Sequence, residues 1–114
     1  MKISYQDNNF SFAGFWQENH AGELVSYKRV AMVTVSFQGT EIFVDARLDG
    51  TAKWYVDDVP MEPQMEDGGF RFCVPAGNHR LKEILVSPDR MYLRGAQTDG
   101  VFLKAQARPY VHFM

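Results

Sequence analysis

The stretch KRVAMVTVSFQGTEIFVDARL, residues 28–48, decides the fold of this chain. From Val30 to Phe37, apolar residues occur on both faces of an extended segment, a pattern typical of a strand in the centre of a sheet. Gln38-Gly39-Thr40 predicts a turn, because glycine adopts the backbone angles of tight turns at little cost. Alternation then resumes from Glu41 to Leu48. The stretch therefore predicts two antiparallel strands joined as a hairpin.

The rest of the chain alternates in the same way between turn signals about ten residues apart. Further turns are predicted at 49–50, 75–77, 87–89 and 98–100, and further strands at 53–57, 70–74, 90–94 and 101–108. Residues 80–86 contain good helix formers, but a helix of that length is unstable without packing, so a strand is predicted there too. These features predict an all-β, single-domain antiparallel β-sandwich or jelly roll that spans residues 1–114.

Composition and charge exclude several classes of protein. The net charge is −2 and no basic stripe is present, which argues against nucleic-acid binding. No apolar run reaches the roughly 20 residues of a membrane span, and the N-terminus has no signal-peptide pattern. We therefore expect a protein of the cytoplasm or of a larger particle, without a more specific location. The single cysteine, Cys73, excludes an internal disulfide, and its alternating context predicts a buried or half-buried strand residue.

No motif for catalysis or metal binding is apparent. The three histidines, His20, His79 and His112, are far apart and lack metal-ligand spacing. No serine lies in a glycine-flanked nucleophile turn, and acidic pairs such as Asp57-Asp58 suit turns. We expect no enzyme activity and no cofactor. Loop oxygens could hold a structural calcium ion, but no loop carries a recognisable ligand set.

Aromatic side chains near polar ones point to a binding surface instead. An aromatic ring can stack on the apolar face of a sugar while polar side chains bind its hydroxyls. The candidate ligand-binding residues are Trp16, Trp54, Tyr55, Asp57, Tyr92 and Arg94, with Gln97 as a further polar partner. Trp16 and Trp54 are more simply interpreted as core residues, because a β-sandwich needs large aromatic side chains inside, whereas Tyr55 is predicted on the face opposite Trp54 and is the better surface candidate.

Four segments together resemble a known family. They are Phe12–Trp16, Phe37–Val44, Trp54–Asp58 and Val74–Leu81, in that order. The chain resembles the N-terminal jelly-roll domain of the two-domain carbohydrate esterases with an SGNH-type catalytic half, a domain similar to galactose-binding modules. The chain departs from that pattern at Asp57-Asp58, where Asp-Gly is expected, and after Leu81. It stops about where a catalytic domain would begin, so the resemblance implies the accessory fold alone. It also implies that His79, two residues after Gly77, is a hydrogen-bonded strand residue and not a catalytic base.

The sequence thus predicts a non-catalytic module that binds carbohydrate through an aromatic and polar patch. The alternative is a structural or assembly protein, such as a virion or particle component, whose β-sandwich makes the subunit contacts. The apolar tail at 109–114 is compatible with that alternative. Expected partners are a carbohydrate or another protein chain, including a second copy of this one, and neither nucleic acid nor membrane.

Overall fold

The computed structural model describes residues 1–105, and all regular structure in that range is β-strand. Within these residues there is accordingly no helix able to span a membrane. The strands are β1 (Lys2–Ser4), β2 (Phe10–Ala13), β3 (Trp16–Glu18), β4 (Leu24–Ser26), β5 (Val30–Asp49), β6 (Lys53–Val56), β7 (Val59–Pro60), β8 (Gln64–Glu66), β9 (Gly69–Val86), β10 (Arg90–Thr98) and β11 (Val101–Phe102).

Two long strands, β5 and β9, organise the fold. They pair antiparallel from Val30 opposite Val86 to Asp45 opposite Gly69. A straight strand of 20 residues would measure about 65 Å, whereas the longest dimension of the molecule is 37 Å. The two strands must therefore bend together. Gly39 of β5 pairs with Gly77 of β9 at the bend, and the register shifts between Gly39 and Glu41.

The bend has its own hydrogen-bond clasp. Asp99, in the turn after β10, accepts hydrogen bonds from the amides of Thr40 and Glu41, at 2.9 and 3.2 Å, and from the Thr40 hydroxyl. These bonds lower the pKa of Asp99 below its usual value, and the bond from the Thr40 hydroxyl has the largest effect. The carboxylate thus satisfies amides that the register shift removes from the ladder.

The bent strands carry one open antiparallel sheet that folds over on itself. Before its bend, β5 pairs with β2, with β11 and with the second half of β9. That half of β9 pairs with β6, and β6 pairs with β7; we call this group of strands the β6 layer. After its bend, β5 pairs with β10 and with the first half of β9. Strand β10 also pairs with β1 and β4, β4 pairs with β3, and β9 pairs with β8; we call this group of strands the β10 layer. The prediction of an all-β, antiparallel, single-domain fold is confirmed, while its extent over all of 1–114 stays a prediction.

Aromatic contacts join the inner faces of the two layers. The ring of Trp54 in the β6 layer lies 5.1 Å from that of Phe70 and 5.2 Å from that of Phe72, both in the β10 layer. Core residues at alternate positions on β5, from Ala31 to Ala46, complete the packing. Apolar burial between the layers is therefore what stabilises the folded sheet.

Several sequence predictions need correction. The turns predicted at 38–40 and 75–77 are wrong, because Gly39 and Gly77 bend continuous strands and do not reverse the chain. The predicted burial of Cys73 is wrong as well, since it lies exposed on β9. The strand predicted at 101–108 ends at Phe102, and residues 106–108 lie outside the described residues, as do His112 and the tail. The strand predicted at 80–86 is confirmed.

Candidate functional site

The structure divides the predicted site residues among three places. Trp16 and Trp54 lie in the core, at 0% and 5% exposure. Tyr55 and Asp57 belong to the outer side of the β6 layer. Tyr92, Arg94 and Gln97 line the outer side of the β10 layer, because β10 buries Met91 and Leu93 on its inner side. Since the layers pack inner face to inner face, Tyr55 and Tyr92 point to opposite surfaces of the molecule.

Both tryptophans are occupied by packing. Trp16 donates its indole N–H to the carbonyl of Ala13 at 3.0 Å and packs edge-on against Phe12, 5.2 Å between centroids. Trp54 is held between the layers by the phenylalanines described above. Neither ring can meet a ligand on the surface, so both tryptophans are core residues and not binding residues.

Tyr55 lies in a charged environment. Its ring is half-buried, and the Lys82 ammonium lies 5.1 Å from the ring centroid. Lys82 is also 3.5 Å from a carboxylate oxygen of Asp58, which binds Arg80 at 2.7 Å. The face of Tyr55 is therefore already shared with a cation from its neighbouring strand.

Asp57 belongs to a turn that fixes His79. Asp57 and Asp58 both have positive φ, 52° and 66°, as a tight hairpin between β6 and β7 requires. The Asp57 carboxylate accepts hydrogen bonds from the amide of Arg80 at 2.8 Å and from His79 Nδ1 at 2.7 Å. The other ring nitrogen, Nε2, lies 2.6 Å from the carbonyl of Pro75. The turn thereby ties β6 to the bend of β9.

The protonation state of His79 follows from these partners. A carboxylate and a carbonyl can only accept hydrogen bonds, so both are satisfied together only by the doubly protonated imidazolium. The bond to Asp57, and then that to Pro75, raises the pKa of His79, and the same bond lowers the pKa of Asp57. A ring with both nitrogens engaged is unsuited to act as a general base. The expectation of a hydrogen-bonded strand residue is confirmed; the absence of a catalytic role stays a prediction.

A pH dependence follows for this pair. The stabilisation by His79 is complete below its unfolded-state pKa of about 6.5 and is lost as pH rises through its raised folded-state pKa. We expect His79→Gln to lower the free energy of unfolding by about 1 kcal/mol near pH 5.5, after allowance for solvent screening at the half-exposed Asp57. Urea unfolding at pH 5.5 and 9 measures the effect, which is smaller at pH 9. His20→Gln, at an exposed histidine, is the matched control. An equal loss at both pH values would contradict a charged His79.

The outer side of the β10 layer carries an open groove of about 480 Å³ around Tyr92, which we call the Tyr92 groove. Register explains its floor: Tyr92 lies opposite Val25 of β4 on one side and Arg47 of β5 on the other. The Arg47 guanidinium stacks on the Tyr92 ring at 4.0 Å from its centroid. The groove is lined by Gln17, Glu18, Asn19, His20, Val25, Tyr27, Arg90 and Tyr92. Two tyrosines therefore lie among amide, imidazole, carboxylate and guanidinium groups.

Beside the groove, Arg94 is held by two carboxylates. Its Nε donates to Asp45 at 2.9 Å and its Nη1 to Glu23 at 2.7 Å. Burial alone would lower the pKa of Arg94, but the bonds to Asp45 and Glu23 outweigh it, so that the pKa is raised. Glu23 is 6% exposed and also accepts a hydrogen bond from Asn19 at 3.0 Å. Arg94 thus anchors the loop that carries Asn19.

Glu18 at the rim of the groove is also engaged. It is a hydrogen-bond partner of Tyr5, whose pKa is raised to about 12 by burial and by this carboxylate. Gln97 lines a neighbouring hollow of about 330 Å³, on the far side of Arg94. The predicted trio Tyr92, Arg94 and Gln97 therefore lies along one strand, with Tyr92 inside the groove and the other two beside it.

Sequence reasoning missed most of the groove. Its residues from β3, β4 and the loop between them reach Tyr92 only through strand pairing, which no local pattern encodes. Asn19 offered the one local signal, because asparagine is typical of turns. In the structure its side chain accepts hydrogen bonds from the amides of Ala21 and Glu23, both at 3.0 Å. Among residues 1–105, no group of three or more His, Cys, Asp or Glu side chains could hold a metal ion.

Comparison with known proteins gives structural matches alone. No family model matches the chain, and no curated protein sequence matches it significantly. Its fold is similar to part of a family two carbohydrate esterase from Cellvibrio japonicus, with 16% identity, a TM-score of 0.76, and 94% of this chain matched to 36% of that one.

Two further solved structures match in the same way. One is a carbohydrate esterase family 2 enzyme plus carbohydrate binding domain from Corynascus thermopiles (Myceliophthora fergusii), with 18% identity, a TM-score of 0.64, and 88% of this chain matched to 32% of that one. The other is an acetyl xylan esterase from the rumen bacterium Butyrivibrio proteoclasticus, with 14% identity, a TM-score of 0.64, and 94% of this chain matched to 34% of that one. The chain thus spans about a third of each of these structures and shares a fold with that part.

Proposed function

We propose that this protein is a non-catalytic carbohydrate-binding module and that its binding site is the Tyr92 groove. The observation that carries the proposal is the groove itself, in which two tyrosines and several hydrogen-bonding side chains surround about 480 Å³. That volume suits a small ligand of one or two sugar rings. Arg47 already covers one face of Tyr92, so a sugar ring would pack against the remaining exposed part of that side chain while Gln17 binds its hydroxyls.

The fold supports a carbohydrate-related role. The solved structures above carry names of carbohydrate esterases, and this chain matches about a third of each. We further propose that the shared part is the accessory, galactose-binding-like jelly roll of such two-domain enzymes. The proposal of a non-catalytic module is supported by His79, whose two ring nitrogens are both engaged, by Asp57 and by Pro75.

The test is a glycan array that includes xylo-oligosaccharides, probed with the wild-type protein and two variants. We expect selective binding that Tyr92→Ala weakens about tenfold or more, since an aromatic contact contributes on the order of 1 kcal/mol beyond its buried area. Tyr55→Ala is the matched control, because it removes a half-buried tyrosine from the opposite surface. A silent array with folded protein, or loss of binding in Tyr55→Ala alone, would overturn the assignment.

A second candidate, subunit assembly, is favoured by one observation. Val30 and Val86 are paired across β5 and β9 on the outer side of the β6 layer and are 52% and 53% exposed. The next pair on that side, Met32 and Ile84, extends this apolar strip. A sedimentation mass above that of the monomer would support assembly through this strip, and a monomer mass would count against it.

A further inference from the structure

Arg90 is the guanidinium that lines the Tyr92 groove. It is exposed, it lines the groove, and it forms no ion pair within residues 1–105. Its cross-strand neighbour, Asp49, is exposed too and makes no ion pair with it. Arg94, two residues beyond Tyr92, is by contrast bound by Asp45 and Glu23. An arginine left free in a groove is available to a ligand.

A second guanidinium lies on the other side of Tyr92. Arg47 stacks on the tyrosine ring, and its only carboxylate contact within the described residues is a long one, 4.0 Å to Glu23, which Arg94 already binds at 2.7 Å. Glu18, the one carboxylate lining the groove, keeps its negative charge but is held by a hydrogen bond with Tyr5. Two guanidiniums therefore lie beside Tyr92 without a short ion pair inside the described residues, although the chain as a whole carries −2.

The spacing of Arg90 and Tyr92 along β10 suits a sugar ring with an acidic group. Arg90 and Tyr92 lie two residues apart on one side of β10, which places their Cα atoms roughly 7 Å apart. A pyranose near Tyr92 would thus hold a carboxylate on its ring within reach of Arg90 or Arg47. The planar guanidinium binds a carboxylate through two parallel hydrogen bonds, which a lysine cannot do.

We propose that the Tyr92 groove selects acidic glycans, and that Arg90 binds the carboxylate of a uronic acid residue. This inference rests on the proposed carbohydrate-binding function of the same groove. It adds a chemical class of ligand and a specificity-determining residue.

The test compares each acidic oligosaccharide with its own carboxyl-reduced form by isothermal titration calorimetry. Suitable pairs are a glucuronic-acid-bearing xylo-oligosaccharide and a trigalacturonide, each beside the neutral sugar made from it. We expect the acidic member of at least one pair to bind about tenfold more tightly in 20 mM salt, and the preference to shrink in 500 mM salt as charges are screened. Arg90→Gln should remove the preference but keep binding of the neutral sugar, whereas Lys53→Gln, which removes an exposed charge from the β6 layer, should change neither.

The possible failures are distinguishable. Equal binding of acidic and reduced forms would overturn the acidic specificity and leave the carbohydrate-binding function standing. An acid preference that survives Arg90→Gln would overturn the role of Arg90. Binding of neither form in any pair would overturn the acidic specificity, and a silent glycan array beside it would overturn the carbohydrate function too.

Discussion

Replacing Glu83 with methionine is expected to raise the free energy of unfolding, and to raise it more at pH 8 than at pH 4. Glu83 lies on β9 with its side chain between the two layers, at 1% exposure, and neither of its carboxyl oxygens has a hydrogen-bond partner among residues 1–105. An unsatisfied buried polar group costs about 1–3 kcal/mol, which the methionine of similar size would remove.

The surroundings of Glu83 explain why the carboxyl finds no partner. It borders a cavity of about 10 Å³, room for one water molecule at most. The other residues that line this cavity come from five strands and are all apolar: Phe10, Val33, Val35, Val44, Trp54, Leu81, Met91 and Leu93. Within the described part of the chain, no other charged or titratable group lines this cavity. Burial alone therefore raises the pKa of Glu83 well above its usual value.

The sign of the pH dependence follows from the raised pKa. Above the unfolded-state pKa of about 4.3, the unfolded chain releases a proton that folded Glu83 retains. Stability therefore falls as pH rises, by about 1.4 kcal/mol per pH unit for this one group, until the folded-state pKa is reached. Urea unfolding of wild type, Glu83→Met and Glu83→Gln at several pH values measures this contribution.

Glu83→Gln serves as the isosteric control, since the amide stays buried but cannot ionise. The difference in the free energy of unfolding between Glu83→Gln and Glu83→Met should be independent of pH. The free energy of unfolding of the wild type should decrease relative to both variants as pH rises. A constant difference between wild type and Glu83→Gln from pH 4 to pH 8 would show that Glu83 is not held protonated in the core.

Trp54→Ala is expected to lower the free energy of unfolding by about 3–5 kcal/mol, as loss of a large buried aromatic side chain usually does. The indole joins the two layers through Phe70 and Phe72. That loss is a large share of the 5–15 kcal/mol typical of a domain. Denaturant unfolding at 10 °C should detect it as an earlier midpoint.

Tyr55→Ala is the matched control on the same strand. Its half-buried ring faces outward, so we expect a loss of less than about 1 kcal/mol. Similar stabilities for Trp54→Ala and Tyr55→Ala would contradict the assignment of Trp54 to the contact between layers. The pair also separates folding from binding, since neither residue lines the Tyr92 groove.

The sequence predicted strand positions better than it predicted how the chain turns. Alternation placed Trp54 inward and Tyr55 outward, because side chains of a strand alternate between its two faces whatever the strand pairs with. Gly39 and Gly77 were read as turns because a glycine between two alternating runs has the same local pattern whether the chain reverses or bends. Only their pairing across β5 and β9 distinguishes the two, and pairing is a long-range property.

The candidate site shows the same division. Tyr92, Arg94 and Gln97 share one side of β10 and could be grouped from the sequence, apart from the register shift between Leu93 and Gly95. Arg47, Glu23 and Asn19 could not be joined to them, since they are more than 40 residues away and reach Tyr92 only through strands β4 and β5. Tyr55 was grouped with Tyr92 because local alternation says which side chains point outward but not on which surface of the molecule.

The most direct test of the central claim is a chemical-shift titration of ¹⁵N-labelled protein with the oligosaccharide that gives the strongest array signal. We expect the amides of β10 around Tyr92, together with those of Gln17, Asn19 and Arg90, to shift most and to saturate together. Shifts centred on Tyr55 and Lys82 on the opposite surface, or none up to millimolar ligand, would contradict a carbohydrate site in the Tyr92 groove.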